Sequence, residues 1–210
     1  MSTFENMAKS MLASFDSKDH AREDAYRLSR EVIRLCSSSI RSVHRKDLEA
    51  AERLMGEAAL GLEKIRETLK DHQDVRYAGF VDGAEQEYAE ACSVFSITTK
   101  HKILGPDEVG VELVNYLAGL GDTCGELRRH ILDLIRCGRA KESEYFLEVI
   151  EEIYYLLMLF DYPDAITRGL RRKSDLARSM LERTRGGLTN ALELGKVTES
   201  LSNCQSQTKD

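Results

Sequence analysis

The sequence predicts an all-α protein, a bundle of six to seven helices, on three observations. Its 210 residues include only 2 prolines and no tryptophan. Long stretches lack the alternation of β-branched and polar residues that marks strands. Apolar residues recur instead at steps of three and four over many successive turns. A chain of this length buries one good core, so one large domain is expected.

Residues 1–20 read as a flexible leader or short helix, ahead of a helical domain over 21–195 and a polar tail over 196–210. A helix is expected from about Arg22 to Lys46, with Tyr26, Ile33, Cys36, Ile40 and Val43 on its apolar face. From Leu48 the spacing is cleaner. Leu48, Ala51, Met55, Ala58, Leu62, Ile65 and Leu69 alternate steps of three and four, an a/d seam for a bundle partner. "AGFVDGAEQ" bends the chain into the helix that carries "EQEYAEA". "LGPDEVG" is the firmest turn signal, with Asp107 as the expected cap. A long helix then runs to about Cys137 along the seam Leu113, Leu117, Leu120, Cys124, Leu127, Ile131 and Leu134. "CGRAKESE" closes it, and another helix spans about Ser143 to Phe160. "DYPD" makes a turn whose Asp164 can cap the last helix, Ala165 to about Leu194. The tail "SLSNCQSQTKD" is polar.

The composition excludes several classes. A charged fraction of 31% and a net charge of −6 suit a soluble protein and argue against a generic nucleic-acid coat. The longest apolar run, "IYYLLMLF", falls far short of the roughly 20 residues that span a bilayer. Glu, Lys and Asp interrupt the N-terminus, so it does not read as a signal peptide. Cys36, Cys92, Cys124, Cys137 and Cys204 show no CxxC spacing, which fits a reducing cytoplasm and argues against structural zinc.

Net charge hides an asymmetry. Residues 22–46 hold 7 basic and 3 acidic side chains, and residues 165–186 hold 7 basic and 2 acidic. Residues 142–164 hold 7 acidic side chains and no Lys or Arg. One basic helix is usually a solvated face. Two in an acidic chain make a track for a polyanion an equal contender.

At about 100° per residue, Glu87 and Glu90 share a stripe with Phe80, Gly83 and Val94, at the flank of the apolar face. Two such anions about 5–6 Å apart repel unless protonated or bridged by a cation. In "GLGDTCGELRRH", Asp122 and Glu126 also share a face, opposite the leucine seam. The back of an amphipathic helix is normally wet, so this pair alone is ordinary. Yet Gly119, Gly121 and Gly125 each cost about 1 kcal/mol of helix stability relative to Ala. They imply a close approach, by another helix or by a phosphodiester. Four carboxylates on two helices are hard oxygen donors of the kind that select Mg²⁺ or Mn²⁺. Di-iron bundles use Glu-x-x-His, and His130 stands four residues after Glu126, so iron is disfavoured. His130 and His44 are more often plain helix histidines than proton shuttles.

"QEYAEA" followed by "LAGLGDTCGELRRHILDLIRCG" resembles the translin family, and most nearly its translin-associated factor X (TRAX) branch. "RLSREVIRLCSSSIRSVHR" is similar to that family's opening helix, and "LFDYPDAITRGLRRKSDLARSMLERTRGGL" takes the place of its closing basic helix. The likeness covers about Arg22 to Leu194. It implies a helical subunit of a hollow homo-oligomer, an octamer, that encloses single-stranded RNA or DNA and cuts RNA with Mg²⁺ or Mn²⁺. The family's catalytic, metal-holding acids fall on Glu87, Glu90, Asp122 and Glu126. The connection "SITTKHKILGPDEV" is shorter than in animal members, and no nuclear-localisation leader is visible. Both fit a compact prokaryotic, archaeal-type homologue that assembles with itself. Phosphate contacts are expected from Arg30, Arg34, Arg41, Arg45, Arg171 and Arg172. The alternatives are a translin-type binder of single strands that does not cut, and a purely structural scaffold.

Overall fold

Thr3–His44 forms one unbroken helix, α1, so the segment read as a leader runs directly into the first basic helix. The structure, a computed structural model, describes residues 3–207, without the side chains of 199 and 202–207. Cys204 and residues 208–210 therefore lie outside the described side chains. Among the described residues there are six long helices, three single-turn helices, one 3-10 turn and no strand. None of the helices is long and apolar enough to cross a membrane. The chain divides into two units, residues 1–119 and 120–210.

In the first unit α1 packs on α2 (Leu48–Thr68) and α4 (Phe80–Lys100). The core is Val32, Cys36 and Ile40 of α1, Ala58, Leu62 and Ile65 of α2, and Val81, Ala91 and Val94 of α4, with their neighbours. The α2 seam is buried as expected except at Leu48, which lies exposed at the helix start, and at Met55, which is half-buried against the core. There Asp47 caps the helix by accepting the Ala50 N–H at 3.2 Å. On α1 the buried face is narrower than expected. Ala25, Ser29 and Val32 face inward, while Tyr26 stays exposed with its ring edge-on to Phe80, 5.7 Å between centroids. Small residues let the helices approach, and the large ring moves to the rim.

Between α2 and α4 lies the single turn α3 (Gln73–Arg76), and Gly79 enters α4 at φ 93°. The turn at "LGPDEVG" forms its own short helix, α5 (Pro106–Val109), and the long helix α6 (Leu113–Arg136) starts after Gly110. Asp107 is not the cap. Pro106 takes the first helical position, so Gly105 is the cap residue, and Glu108 reaches back to accept its N–H at 2.9 Å.

The second unit holds most of α6, the 3-10 turn Ala140–Ser143, α7 (Glu144–Met158), α8 (Asp164–Thr167) and α9 (Leu170–Gln207). The α6 seam from Leu120 to Leu134 is buried, as are Phe146, Ile150, Ile153 and Leu157 of α7. On α9, Leu170, Ala177, Leu181 and Leu188 face the core. Asp164 opens α8 rather than α9. Its carboxylate accepts the N–H of Gly169, just ahead of α9, at 2.7 Å. The charge asymmetry of this half is partly internal, since Arg185 of α9 pairs with Glu151 of α7 at 2.7 Å. α9 continues past Leu194 to Gln207.

Candidate acidic site and basic faces

The three glutamates of "EQEYAEA" part ways on α4. Glu85 is 1% exposed. Its Oε1 accepts from Arg76 at 3.0 Å and from Arg66 at 3.4 Å. Its Oε2 accepts the backbone N–H of Glu112 at 3.2 Å and the Asn115 amide at 2.8 Å. Asn115 also donates to Asp82 at 3.1 Å, and Arg66 donates to the Gly110 carbonyl. A carboxylate this deep is tolerable only with its charge matched and its lone pairs filled. This network ties the end of α2, the turn α3 and the start of α6 to α4.

Glu87 and Glu90 are half-buried, on the stripe with Phe80, Gly83 and Val94. Burial lifts the Cys36 thiol well above its ordinary range, and Cys92, Glu87 and Glu90 add to the effect. The two glutamates therefore bring negative charge to within reach of a core residue of α1. Burial also pushes the Cys92 thiol up to about 11.

The glycines of α6 are explained by other helices. A Cβ at Gly119 would stand 2.6 Å from the Gln86 carbonyl oxygen and 2.9 Å from the Glu90 nitrogen, so α6 crosses α4 backbone to backbone at the acid motif. A Cβ at Gly121 would stand 2.9 Å from Cβ of Lys173 on α9. Gly125 meets only Met180, at an ordinary 3.5 Å. Asp122 and Glu126 follow Gly119 at i+3 and i+7, on the same side of α6.

Asp122 and Glu126 are half-buried, with side chains 28% and 26% exposed. The Lys173 ammonium donates to both Asp122 oxygens, at 2.6 and 2.7 Å. Arg129 lies 3.7 Å from Glu126. Among the described residues no three His, Cys, Asp or Glu side chains gather as a ready cation cage. The donors nevertheless suit a hard cation in kind. They are carboxylates, and a positive group already sits on both oxygens of one of them. His130 stacks edge-on against Phe146, 4.6 Å between centroids, which is a packing role. Sequence reasoning passed over Lys173 within its basic run and Glu85 within its acidic one. Periodicity does not show which charged residue of a run turns inward.

The expected phosphate contacts are all exposed. Arg27, Arg30, Arg34 and Arg41 fall on one stripe of α1 within about a quarter of its circumference, and Arg45 follows in the turn just past the helix end. Tyr26, Arg27, Arg30, Glu31 and Arg34 line a shallow cleft of about 610 Å³, where the Arg30 guanidinium lies 6.0 Å from the Tyr26 ring centre. Arg34 is within 3.6 Å of Glu31, and Arg41 donates to Ser38 at 2.8 Å. Arg171 and Arg172 open α9 on its outer side.

Helices alone, an acid pair on each of α4 and α6, and basic outer faces on α1 and α9 define a helical-bundle protein of one recognisable class. The chain is 32% identical over 194 residues to uncharacterized protein MJ0175 of Methanocaldococcus jannaschii, covering 90% of this chain and 84% of that protein. It is 30% identical to the crystal structure of AfC3PO, with a TM-score of 0.81, covering 90% of this chain and 98% of that one. A structure of AfC3PO with duplex RNA matches at 29% identity and a TM-score of 0.80, covering 90% of this chain and 97% of that one. Apo-NeC3PO, at 22% identity and a TM-score of 0.71, covers 91% of this chain and 98% of its own and shares the fold. No family model matches the chain. The chain belongs to the translin family, alongside AfC3PO.

Proposed function

We propose that this chain is an endoribonuclease of the TRAX branch, of archaeal type, that cleaves single-stranded RNA inside a hollow, cytoplasmic homo-octamer. Glu87, Glu90, Asp122 and Glu126 hold Mg²⁺ or Mn²⁺. The observation that carries the reading is the crossing at Gly119. There α6 lies against the Gln86–Glu90 turn, and Asp122 and Glu126 continue along the same side of that helix. Held there, a divalent ion would supply Lewis-acid chemistry, polarising a phosphoryl oxygen and easing the deprotonation of water. The protein does the rest. One of the glutamates takes the proton of the attacking water, and the carboxylates fix its direction. The arginine stripe of α1, with Arg171 and Arg172, grips phosphates without reading bases.

One observation favours a second reading, binding without cleavage. Both oxygens of Asp122 are already engaged by Lys173. AfC3PO has been crystallised with duplex RNA, so duplex RNA is the natural second substrate to test.

The deciding assay incubates purified protein with single-stranded RNA and Mn²⁺, with and without chelator, beside Glu90→Ala and Asp122→Ala. Cleavage is expected only with the ion, and each variant should lose about 100-fold or more. Binding without cleavage, unchanged in the variants, moves the chain to the binder class. Absence of binding even at low salt, where phosphate contacts are strongest, leaves a scaffold.

A further inference from the structure

Lys173 is built into its place. Its Cβ and Cγ would lie 2.9 and 3.5 Å from a Cβ at residue 121, so glycine there lets the lysine stem rest on the α6 backbone. The stem delivers Nζ to both oxygens of Asp122, with only 22% and 28% of the two side chains exposed. Its neighbours Arg171 and Arg172 are turned to solvent.

We propose that Lys173 is a placeholder cation. It holds Asp122 in the metal-free chain and is displaced from it when a divalent ion binds. The inference rests on the reading of Asp122 as a metal ligand and deepens it. An ion needs a bare carboxylate oxygen, and here one ammonium covers both. An ammonium and a divalent ion on the same carboxylate repel each other, so the two occupancies compete. Only the end of the lysine has to move. Gly121 pins the stem at Cβ and Cγ, whereas the outer torsions turn between staggered states with no backbone shift. In the metal-free chain the ammonium offsets the repulsion between Asp122 and Glu126 and keeps the Asp122 carboxylate in one orientation. Lys173 is thus a positioning residue that trades ion affinity for a preset ligand.

The test compares metal-free wild type, Lys173→Met, Lys173→Gln and, as a control for net charge, Arg178→Met. Arg178 lies on the same helix but pairs with Glu182. Free Mn²⁺ is followed by electron paramagnetic resonance, and the thermal midpoint is measured in chelator. Lys173→Met should bind Mn²⁺ about three- to tenfold more tightly while its metal-free midpoint falls by a few degrees. Lys173→Gln, which keeps an N–H donor, should fall between, and Arg178→Met should stay within about twofold of wild type. A purely structural lysine would lower the midpoint without tightening the ion. Unchanged or weaker Mn²⁺ binding in a folded Lys173→Met overturns the inference, and Lys173→Gln decides if the methionine variant does not fold. A wild type that binds no Mn²⁺ sinks the metal reading of Asp122 and the placeholder with it. Equal binding by wild type and variant sinks the placeholder alone.

Discussion

Glu85 and Asp122 each belong to an acid motif and each is ion-paired, yet their surroundings give them opposite uses. Glu85 is 1% exposed, with two arginines, a backbone N–H and an amide filling its oxygens. Asp122 is 28% exposed in its side chain, and the Lys173 ammonium lies on both of its oxygens. The first carboxylate cannot exchange partners without exposing buried charge, so it serves structure. The second lies nearer to solvent, which the exchange proposed for Lys173 requires. Burial, rather than the motif, separates the two.

The largest expected effect follows from the buried member. Glu85→Ala takes from Arg76, itself 8% exposed, the nearest and most buried of its carboxylates, leaving Asp82 at 3.5 Å and Glu112 at 3.8 Å, and breaks the tie between α3, α4 and the start of α6. Breaking a buried pair from one side costs about 3–5 kcal/mol, which in a chain of this size is on the order of 10 °C in thermal midpoint. Asp122→Ala should move the midpoint far less. Equal losses in the two variants would erase the distinction drawn here.

The sequence made the helices legible because their seams are long. The seams Leu117 to Leu134 on α6 and Ala51 to Leu69 along α2 repeat often enough to fix the inward face, and their residues are buried, Met55 partly so. Helix ends were less readable. One proline decided the α5 cap, and Asp164 opened a short helical turn that the pattern of α9 had absorbed. The acid pairs could be seen as pairs, since spacing on one helix is local. What opposes each acid was not visible. Lys173 lies 51 residues from Asp122, in a run where Arg171 and Arg172 look equivalent to it. The glycines were the better clue. They announced a close approach, and Gly119 and Gly121 proved to be where α4 and α9 meet α6.

Those glycines grade the second prediction. Ala at 119 would press on the α4 backbone at 2.6 Å, which cannot swing away, and overpacking of this kind costs about 1–3 kcal/mol. Ala at 121 meets the Lys173 stem at 2.9 Å. A side chain yields more than backbone, and the helix gains about 1 kcal/mol from replacing glycine, so the net change should be small. Ala at 125 has ordinary contact at 3.5 Å and should stabilise by up to about 1 kcal/mol. Denaturant midpoints should therefore rank Gly125→Ala above wild type and Gly119→Ala lowest. Three equal losses would mean that the approach distances do not govern these positions.

The smallest effect bears most directly on exchangeability. A double-mutant cycle on Asp122→Asn and Lys173→Met should return a coupling of about 1 kcal/mol or less in metal-free protein at low salt. Screening should shrink it further, because the screening length falls from about 10 Å at 0.1 M to about 3 Å at 1 M. The penalty of Glu85→Ala should respond less to the same salt, since Glu85 and Arg76 are shielded from solvent. A coupling at Asp122 that stayed large in 1 M salt would show an ion pair as locked as that of Glu85. A divalent ion would then have to overcome a structural bond, and Asp122 would be a poor seat for it.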